Sequence, residues 1–181
     1  MTVALSTTPV LETERLILRA PQAGDWPVWL DMMMSDRSEF IRPDDIDEGK
    51  AWRAFGHVIG HWVLRGYGLF VFTLKDDNTA LGATGAWYPA MWPEREIGWA
   101  VWSAAAEGKG YAFEAAQAAR AYAFDTLGWD TAVSYIEKDN ARSIALAERL
   151  GAVVDPDAPR LSDDHWDNVL VYRHPTPEGA A

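Results

Sequence analysis

Cysteine is absent from this chain of 181 residues. Disulfide bridges, thiolate metal sites and cysteine nucleophiles are therefore excluded. Long apolar runs are also missing, so no segment is expected to span a bilayer. Residues 1–10 have neither the basic region nor the apolar region of a signal peptide. We therefore expect a cytoplasmic protein with no membrane partner.

Positive charge is scarce, because 16 Lys and Arg residues stand against 27 Asp and Glu residues, for a formal net charge of -11. Nucleic-acid binders take much of their affinity from Lys and Arg contacts to phosphate, so no nucleic-acid partner is expected. An acidic surface keeps a protein soluble, and it also attracts cationic partners such as amines. Both interpretations stay open, and so does the formation of a homodimer.

The composition that is present suits one globular domain, since 49% of the residues are hydrophobic and no linker divides the chain. We assign residues 11–174 to a single domain and treat residues 1–10 and 175–181 as loose termini. The periodicity of apolar residues predicts the order β-α-α-β-β-β-α-β-α-β-β, with the longest helical stretch at residues 108–127. This order predicts an α/β fold with helices packed on a sheet.

The most informative segment is a glycine-rich turn between a predicted strand, residues 96–102, and the long predicted helix. Gly108 and Gly110 allow the backbone to bend tightly and to approach a ligand closely. The free N–H groups at the start of the following helix favour an anion such as a pyrophosphate. Taken alone, such a turn is equally compatible with a structural role. Neither the P-loop motif nor the dinucleotide-binding fingerprint is present.

Several motifs together resemble the GNAT acetyltransferases. The sequence Glu-Gly-Lys-Gly-Tyr-Ala at residues 107–112 is similar to the Q/R-x-x-G-x-G/A signature of that family. Glu-Ile-Gly-Trp at 96–99, Asp-Asn-Ala-Arg-Ser-Ile at 139–144 and Glu-Arg-Leu-Gly at 148–151 resemble its ribosomal-protein-alanine N-acetyltransferase branch, as does the opening strand at 11–19. The resemblance implies the GNAT fold, with a mixed, mostly antiparallel central sheet splayed near its middle.

The same resemblance implies where the co-substrate of this family, acetyl-CoA, binds, and it implies no metal. The backbone of Trp99, Ala100 and Val101 is expected to hold the pantetheine arm, and Asn140 to contact it. Ser143 is expected near the thioester sulfur. The signature residues are expected to form the pyrophosphate site: Glu107, Gly108, Lys109, Gly110, Tyr111 and Ala112.

The implied reaction moves an acetyl group from acetyl-CoA to an amine by direct attack in a ternary complex. The acceptor is expected to be a protein N-terminus or a small-molecule amine, with a cationic one favoured by the acidic composition. Glu96 is the candidate base, and Ser143 is the candidate proton donor to sulfur. A plain ion pair of Glu96 with Arg95 or another cation is the alternative.

Two positions depart from the family pattern. Glu107 stands where the family usually has Gln, Arg or an aromatic residue, and a carboxylate beside a pyrophosphate is unfavourable unless it points into solvent. Ala147 stands where many members place a Tyr that acts as general acid. A non-catalytic acyl-CoA-binding sensor or interaction module therefore stays open as an alternative. An aromatic-lined binder that does not use CoA is a third hypothesis.

Two further features invite a functional interpretation. His57 and His61 lie four residues apart, as metal-binding histidines on a helix often do, but no third ligand accompanies them. We expect them to mark a helix face near the acceptor site. Trp87 and Trp92 belong to an aromatic, proline-punctuated segment, which is compatible with a wall for a cationic acceptor or with a cover over the core.

Overall fold

A computed structural model describes residue 5, residues 7–160 and residues 167–176. Most of the predicted loose termini, residues 1–4, 6 and 177–181, lies outside the described residues. The described strands are β1 (Leu11–Glu12), β2 (Leu16–Arg19), β3 (Leu69–Leu74), β4 (Asp77–Trp87), β5 (Glu96–Val101), β6 (Val133–Glu137), β7 (Val153–Val154) and β8 (Val169–Arg173). The described α-helices are α1 (Trp26–Met33), α2 (Glu48–Arg65), α3 (Tyr111–Ala121) and α4 (Ala141–Arg149).

The eight described strands form one sheet in the order β1-β2-β3-β4-β5-β6-β8-β7. Every neighbouring pair is antiparallel except β5 and β6, which run parallel. The predicted α/β fold with a mixed, mostly antiparallel sheet is therefore confirmed. The predicted element order holds as well, except that the opening strand is divided into β1 and β2. None of the helices that the structure describes is long and apolar enough to cross a membrane.

The sheet opens between β5 and β6, near its middle. These two strands pair only at Glu96 and Val133, where the Val133 N–H donates to the Arg95 carbonyl oxygen over 2.9 Å. On its other edge β5 pairs with β4 along its whole length, from Glu96 to Val101. The splay in the middle of the sheet, which the resemblance implied, is therefore present.

Helices cover both faces of the sheet. On one face, Trp29 of α1 and Phe55 and Val58 of α2 form a core cluster with Trp102. On the other face, the small residues Ala115 and Ala119 of α3 let that helix lie close to the sheet residues Leu16, Leu18, Phe70 and Phe72. Close packing of this kind buries apolar surface without leaving voids.

The buried stripe of α2 differs from the predicted one. The helical spacing of its apolar residues predicts one shared face for Trp52, Phe55, Ile59, Trp62 and Val63, but Trp52 is 59% exposed and Val63 is 69% exposed. The stripe instead follows positions 51, 55, 58 and 62, the i, i+4, i+7, i+11 spacing of one helix face. Trp52 contacts Trp26 edge to face, with 4.9 Å between the ring centroids.

A buried ion pair joins β2 to the segment that precedes α1. The five N–H groups of the Arg19 guanidinium are all satisfied, by the Asp25 carboxylate, the Ala20 carbonyl and both oxygens of Asn78. Asp25 is 3% exposed and also accepts from the Gln22 N–H. Asp25 occupies the N-cap position of α1, as its place before Pro27 predicts, but its carboxylate is used in this pair and makes no capping hydrogen bond to the helix.

Replacement of Asp25 by Ala should cost about 3–5 kcal/mol of unfolding free energy, because it leaves the Arg19 charge buried and unpaired. Asp31→Ala is the matched control, since Asp31 pairs with Arg37 but its side chain is 80% exposed. That control should cost about 1 kcal/mol or less. Urea denaturation of both variants measures the difference, and equal losses would contradict a structural role for the buried pair.

Candidate functional site

A cleft of about 800 Å³ opens on the α1–α2 face of the sheet and continues into the gap between β5 and β6. This volume lies in the range of small-molecule sites. The cleft brings together five of the residues that the sequence singled out: Glu96, Trp99, Ala100, Asn140 and Ser143. The glycine signature and Val101 do not line it. They lie further along the chain, where β5 ends and leads to α3.

Ser134 ends the pairing of β5 with β6. Its hydroxyl donates to the Ile97 carbonyl oxygen over 2.6 Å, the oxygen that the Tyr135 N–H would bind in a regular parallel ladder. Because that hydroxyl proton is used, the Ser134 oxygen accepts from the His174 Nε2–H over 2.9 Å. Burial lowers the pKa of His174 to about 3, so His174 stays neutral and donates. No sequence motif predicted this pair.

The alternation of β5 decides which backbone groups face the gap. The Arg95 and Ile97 carbonyl oxygens accept from β6 residues, whereas the Gly98 carbonyl accepts from Thr84 of β4. By the same alternation, the backbone groups of Trp99 and Val101 point toward the gap. Those of Ala100, which pairs with Ala83, point toward β4. Of the three residues predicted to hold a pantetheine arm, Trp99 and Val101 thus direct their backbone groups toward the gap between β5 and β6.

Glu96 lies where the gap begins. Its carboxylate accepts from the Trp92 indole N–H over 2.7 Å, and the Tyr135 backbone N–H also donates to it. Burial raises the pKa of Glu96 to about 7, because it outweighs these two neutral donors, which lower it. The alternative of an ion pair with Arg95 is wrong, since Arg95 pairs with Asp130 over 2.9 Å.

The start of α4 places Ser143 and Asn140 at the gap. The Asn140 side-chain oxygen accepts from the Ser143 backbone N–H, so Asn140 caps the helix and its side-chain amide N–H groups stay available. The Trp99 indole N–H donates to the Ser143 hydroxyl over 3.2 Å. The hydroxyl proton of Ser143 has no acceptor among the described residues. Ala147 is fully buried in the cluster against which Trp99 packs, so the tryptophan uses the room that a small side chain leaves.

The glycine-rich turn has the backbone that the sequence predicts. Gly108 and Gly110 have φ angles of 70° and 77°, in the left-handed region where glycine is favoured. These angles are not helical, so the helix begins at Tyr111 and not at Gly108 as predicted. The first helical bond runs from the Glu114 N–H to the Gly110 carbonyl. The N–H groups of residues 111–113 precede this bond and have no acceptor within the helix, which favours the binding of an anion.

Arg15 anchors this turn to the start of the sheet. Its guanidinium donates to the Lys109 carbonyl oxygen over 3.0 Å and to the Glu114 carboxylate over 2.6 Å, and it lies over the Tyr111 ring. Thr13 donates to the same carboxylate. Although burial raises the pKa of Glu114, these hydrogen bonds together lower it below its usual value. The sequence offered Arg15 only as part of a strand motif.

Glu107 does not leave an unpaired negative charge beside the turn. Its carboxylate pairs with Arg142 of α4, with 3.0 Å between the atoms. Arg142 is largely exposed, so the pair lies at the surface and can rearrange at little cost. The unfavourable effect on an anion that the sequence suggested for Glu107 is therefore reduced by a cation from the neighbouring helix.

The two histidines of α2 have different roles. The His61 Nδ1–H donates to the Tyr67 carbonyl and its Nε2 accepts from the Tyr88 N–H, so both ring nitrogens are used by the backbone. Burial lowers the pKa of His61. His57 instead lines the cleft and contacts Trp87, with 4.9 Å between the ring centroids. Within the described ranges, no group of three or more His, Asp or Glu side chains is placed to hold a metal ion.

Comparisons with known proteins agree with this fold. A family model described as an acetyltransferase (GNAT) domain matches residues 15–153. An acetyltransferase structure from Agrobacterium tumefaciens is 38% identical, covers 97% of this chain and 99% of that chain, and superposes with a TM-score of 0.85. An acetyltransferase (GNAT family) from Bacillus anthracis is 21% identical, with coverage of 92% and 96% and a TM-score of 0.72.

A ribosomal-protein-S5-alanine acetyltransferase from Vibrio fischeri is 12% identical, covers 94% of this chain and 98% of that chain, and has a TM-score of 0.67. At this identity, as at that of the Bacillus anthracis protein, the similarity shows the fold alone.

Replacement of Trp92 by Phe should raise the pKa of Glu96 above its value of about 7, because the indole N–H stabilises the carboxylate. Titration of the carboxyl carbon by NMR in glutamate-labelled protein measures this shift. Trp52→Phe, which changes an exposed indole outside the cleft, should leave the titration unchanged. A lower or equal pKa in the Trp92 variant would show that this hydrogen bond does not govern Glu96.

Proposed function

The chain belongs to the GNAT acetyltransferase family and is an acetyl-CoA-dependent acetyltransferase, and we propose that it acetylates an amine by direct attack in a ternary complex. The observation that carries the proposal is Glu96, a carboxyl with a pKa of about 7 at the start of the gap. A base titrating near neutrality is suited to proton removal from a bound amine.

The residues at the gap and at the glycine turn fit acetyl-CoA. The amides of residues 111–113 are available for a pyrophosphate, and Lys109 makes no ion pair with a described residue. The backbone groups of Trp99 and Val101 offer strand-like hydrogen bonds to a pantetheine arm. Asn140 and Ser143 line the same gap from the side of α4. When bound, acetyl-CoA supplies a thioester that is already activated toward amines.

The chain's own residues then have distinct tasks. Glu96 takes the proton from the amine, and the walls of the cleft hold the amine in line, which itself lowers the barrier. Ser143 accepts from the Trp99 indole and is left with its own proton to donate toward the sulfur position. Glu96 and Trp99 are three residues apart along β5, about 10 Å, so base and donor lie at separate points of the gap.

The sensor alternative rests on the two departures from the family pattern. Arg142 pairs with Glu107, so the carboxylate there is compensated. The Trp99–Ser143 hydrogen bond gives the site an oriented hydroxyl although Ala147 replaces a tyrosine. Both contacts support the enzymatic proposal over a non-catalytic module.

Placement in the ribosomal-protein-alanine N-acetyltransferase branch is part of the same proposal. The motifs at 96–99, 139–144 and 148–151 support it. Membership of a branch does not decide the acceptor, because the acceptor is selected by the site and not by the fold.

The value of kcat/KM for an amine should rise with pH and level off above about pH 7, since Glu96 must be ionised to accept a proton. Glu96→Gln should lower kcat/KM by about a hundredfold or more and remove the bend near pH 7. Steady-state rates between pH 5 and 8.5 with one amine throughout measure both effects.

Glu137→Gln, which changes another carboxylate of the cleft, should keep the bend near pH 7. A bend that persists unchanged in Glu96→Gln would assign the base to another group.

Stability gives an independent check. The folded-state pKa of Glu96 is raised, so its contribution to stability is present below about pH 4.5 and is lost as the pH rises through about 7. The Gln variant should lack that loss.

Gly110→Asp should weaken acetyl-CoA binding about tenfold or more, because it places a negative charge at the predicted pyrophosphate site. Gly110→Asn is the matched control, since Asn has the same size and tolerates the left-handed φ of 77°. A Cβ at this position meets only the Arg15 guanidinium at 3.6 Å, an ordinary contact. Calorimetric titration with acetyl-CoA compares the two, and equal affinities would place the pyrophosphate elsewhere.

A further inference from the structure

One part of the cleft lies on the α1–α2 face of the sheet, and we name it the acceptor chamber. Its walls are Phe40, Arg42, His57, Trp87 and Trp92, and it meets the gap at Glu96. Trp87 is the cross-strand partner of Glu96, so their side chains lie on the same face of the sheet. The Glu96 carboxylate is therefore flanked by two indoles, one of which donates to it.

The interior of the acceptor chamber is apolar. Its lining also includes Trp29, Ala54, Val58 and Leu69. The Glu96 carboxylate lies where the chamber meets the gap. The other carboxylates that line the cleft are exposed, at Glu39 and Asp44, or lie on β6, at Glu137, so an acceptor with several positive charges would not find them along this apolar interior. A single amine on an apolar body matches this lining better, and flat indole faces favour an aromatic body.

Arg42 favours an acceptor that also carries a negatively charged group. The guanidinium is half-buried in the chamber wall, and no carboxylate of a described residue lies within 4 Å of it. Within the described ranges, its guanidinium donates one hydrogen bond, to the neighbouring Pro43 carbonyl, and its Nε–H is buried without an acceptor. A buried donor without a partner is costly, so a ligand that supplies a carboxylate would satisfy it.

From these contacts we infer that the acceptor is a small zwitterionic amine with an aromatic body, as in an aromatic α-amino acid. This inference rests on the acetyl transfer proposed above. The amine lies at Glu96, the ring lies against Trp87 and Trp92, and the carboxylate binds Arg42. The carboxylates of Glu39 and Asp44 are at exposed positions of the rim and are not paired with Arg42, so they leave its charge available.

The connection between α1 and α2 argues for a small acceptor over a protein N-terminus. Six consecutive residues of it, from Glu39 to Asp44, line the cleft. In the inferred arrangement the acceptor's carboxyl group faces this segment at Arg42, so a peptide chain that continued from that group would meet it. A peptide acceptor is therefore the alternative that the experiment has to exclude.

The experiment compares acceptors that differ by one group. Phenylalanine and alanine differ by the ring, and phenylalanine and 2-phenylethylamine differ by the carboxylate. In each comparison kcat/KM should be about tenfold higher for phenylalanine. The reason is burial of the ring in the first comparison and the charge-assisted hydrogen bonds to Arg42 in the second. Spermidine and a short peptide with an N-terminal alanine complete the panel, and a preference for either would overturn the inference.

Variants of Arg42 test the carboxylate contact. Arg42→Gln should reduce the preference for phenylalanine over 2-phenylethylamine to about one, and Arg42→Lys should restore part of it, because Lys keeps the charge without the bidentate fork. Arg53→Gln removes the same charge from an exposed position of α2 outside the cleft and should keep the full preference. An unchanged preference in Arg42→Gln would overturn the inference.

A binding measurement separates this inference from the proposed function. Calorimetric titration of phenylalanine and 2-phenylethylamine into the protein saturated with CoA involves no turnover, and phenylalanine should bind about tenfold more tightly. Equal affinities would overturn the inference while acetyl transfer to other amines leaves the proposed function intact. Failure to acetylate any amine of the panel, together with no binding of acetyl-CoA, would instead overturn the proposed function.

Discussion

The site depends on one substituted hydrogen bond between β5 and β6. The Ser134 hydroxyl binds the Ile97 carbonyl that the next backbone N–H would bind in a regular parallel ladder. Tyr135 then directs its N–H to the Glu96 carboxylate, and the two strands separate beyond that point. His174, which is buried and neutral, holds the Ser134 hydroxyl in place from β8's end. The opening of the sheet is therefore built from side chains that replace backbone partners, and this leaves the backbone of Trp99 and Val101 available.

The carboxylates around the cleft differ in what neutralises them. Glu107 and Glu114 pair with the guanidinium groups of Arg142 and Arg15, and both pairs lie near the glycine turn, where an anion is expected. Among the described residues, the donors to Glu96 are both neutral, an indole and a backbone amide. Burial without a cation raises its pKa, because the charged form loses solvation that neutral donors do not fully replace. The same chain thus pairs two carboxylates with cations and raises the pKa of a third, Glu96, to about 7, where proton transfer is most effective.

Much of the fold was predictable from local patterns, and the errors have physical reasons. Apolar periodicity predicts a helix over about residues 47–65, close to the observed α2, and the structure adds that the Asp47 side chain caps it by accepting from the Lys50 N–H. The error at Trp52 arose because a large aromatic residue was assumed to face the core. The buried face of α2 runs through Phe55 and leaves Trp52 at the surface. The predicted start of α3 is three residues early, because the two glycines were included in the first turn of an alanine-rich helix, whereas their φ angles are left-handed.

The sequence by itself determined the order of the elements, the glycine turn and the family motifs, because periodicity and left-handed φ angles are properties of short segments. It also singled out Glu96 and Ser143 as candidates. Only the tertiary structure decided which groups act on them. Arg142 reaches Glu107 across 35 residues of chain, and His174 reaches Ser134 across 40, since the sheet order places β5, β6 and β8 side by side. The pKa of Glu96 and the unpaired charge of Arg42 are likewise set by burial and by the absence of nearby counter-charges among the described residues, and neither is encoded in any local pattern.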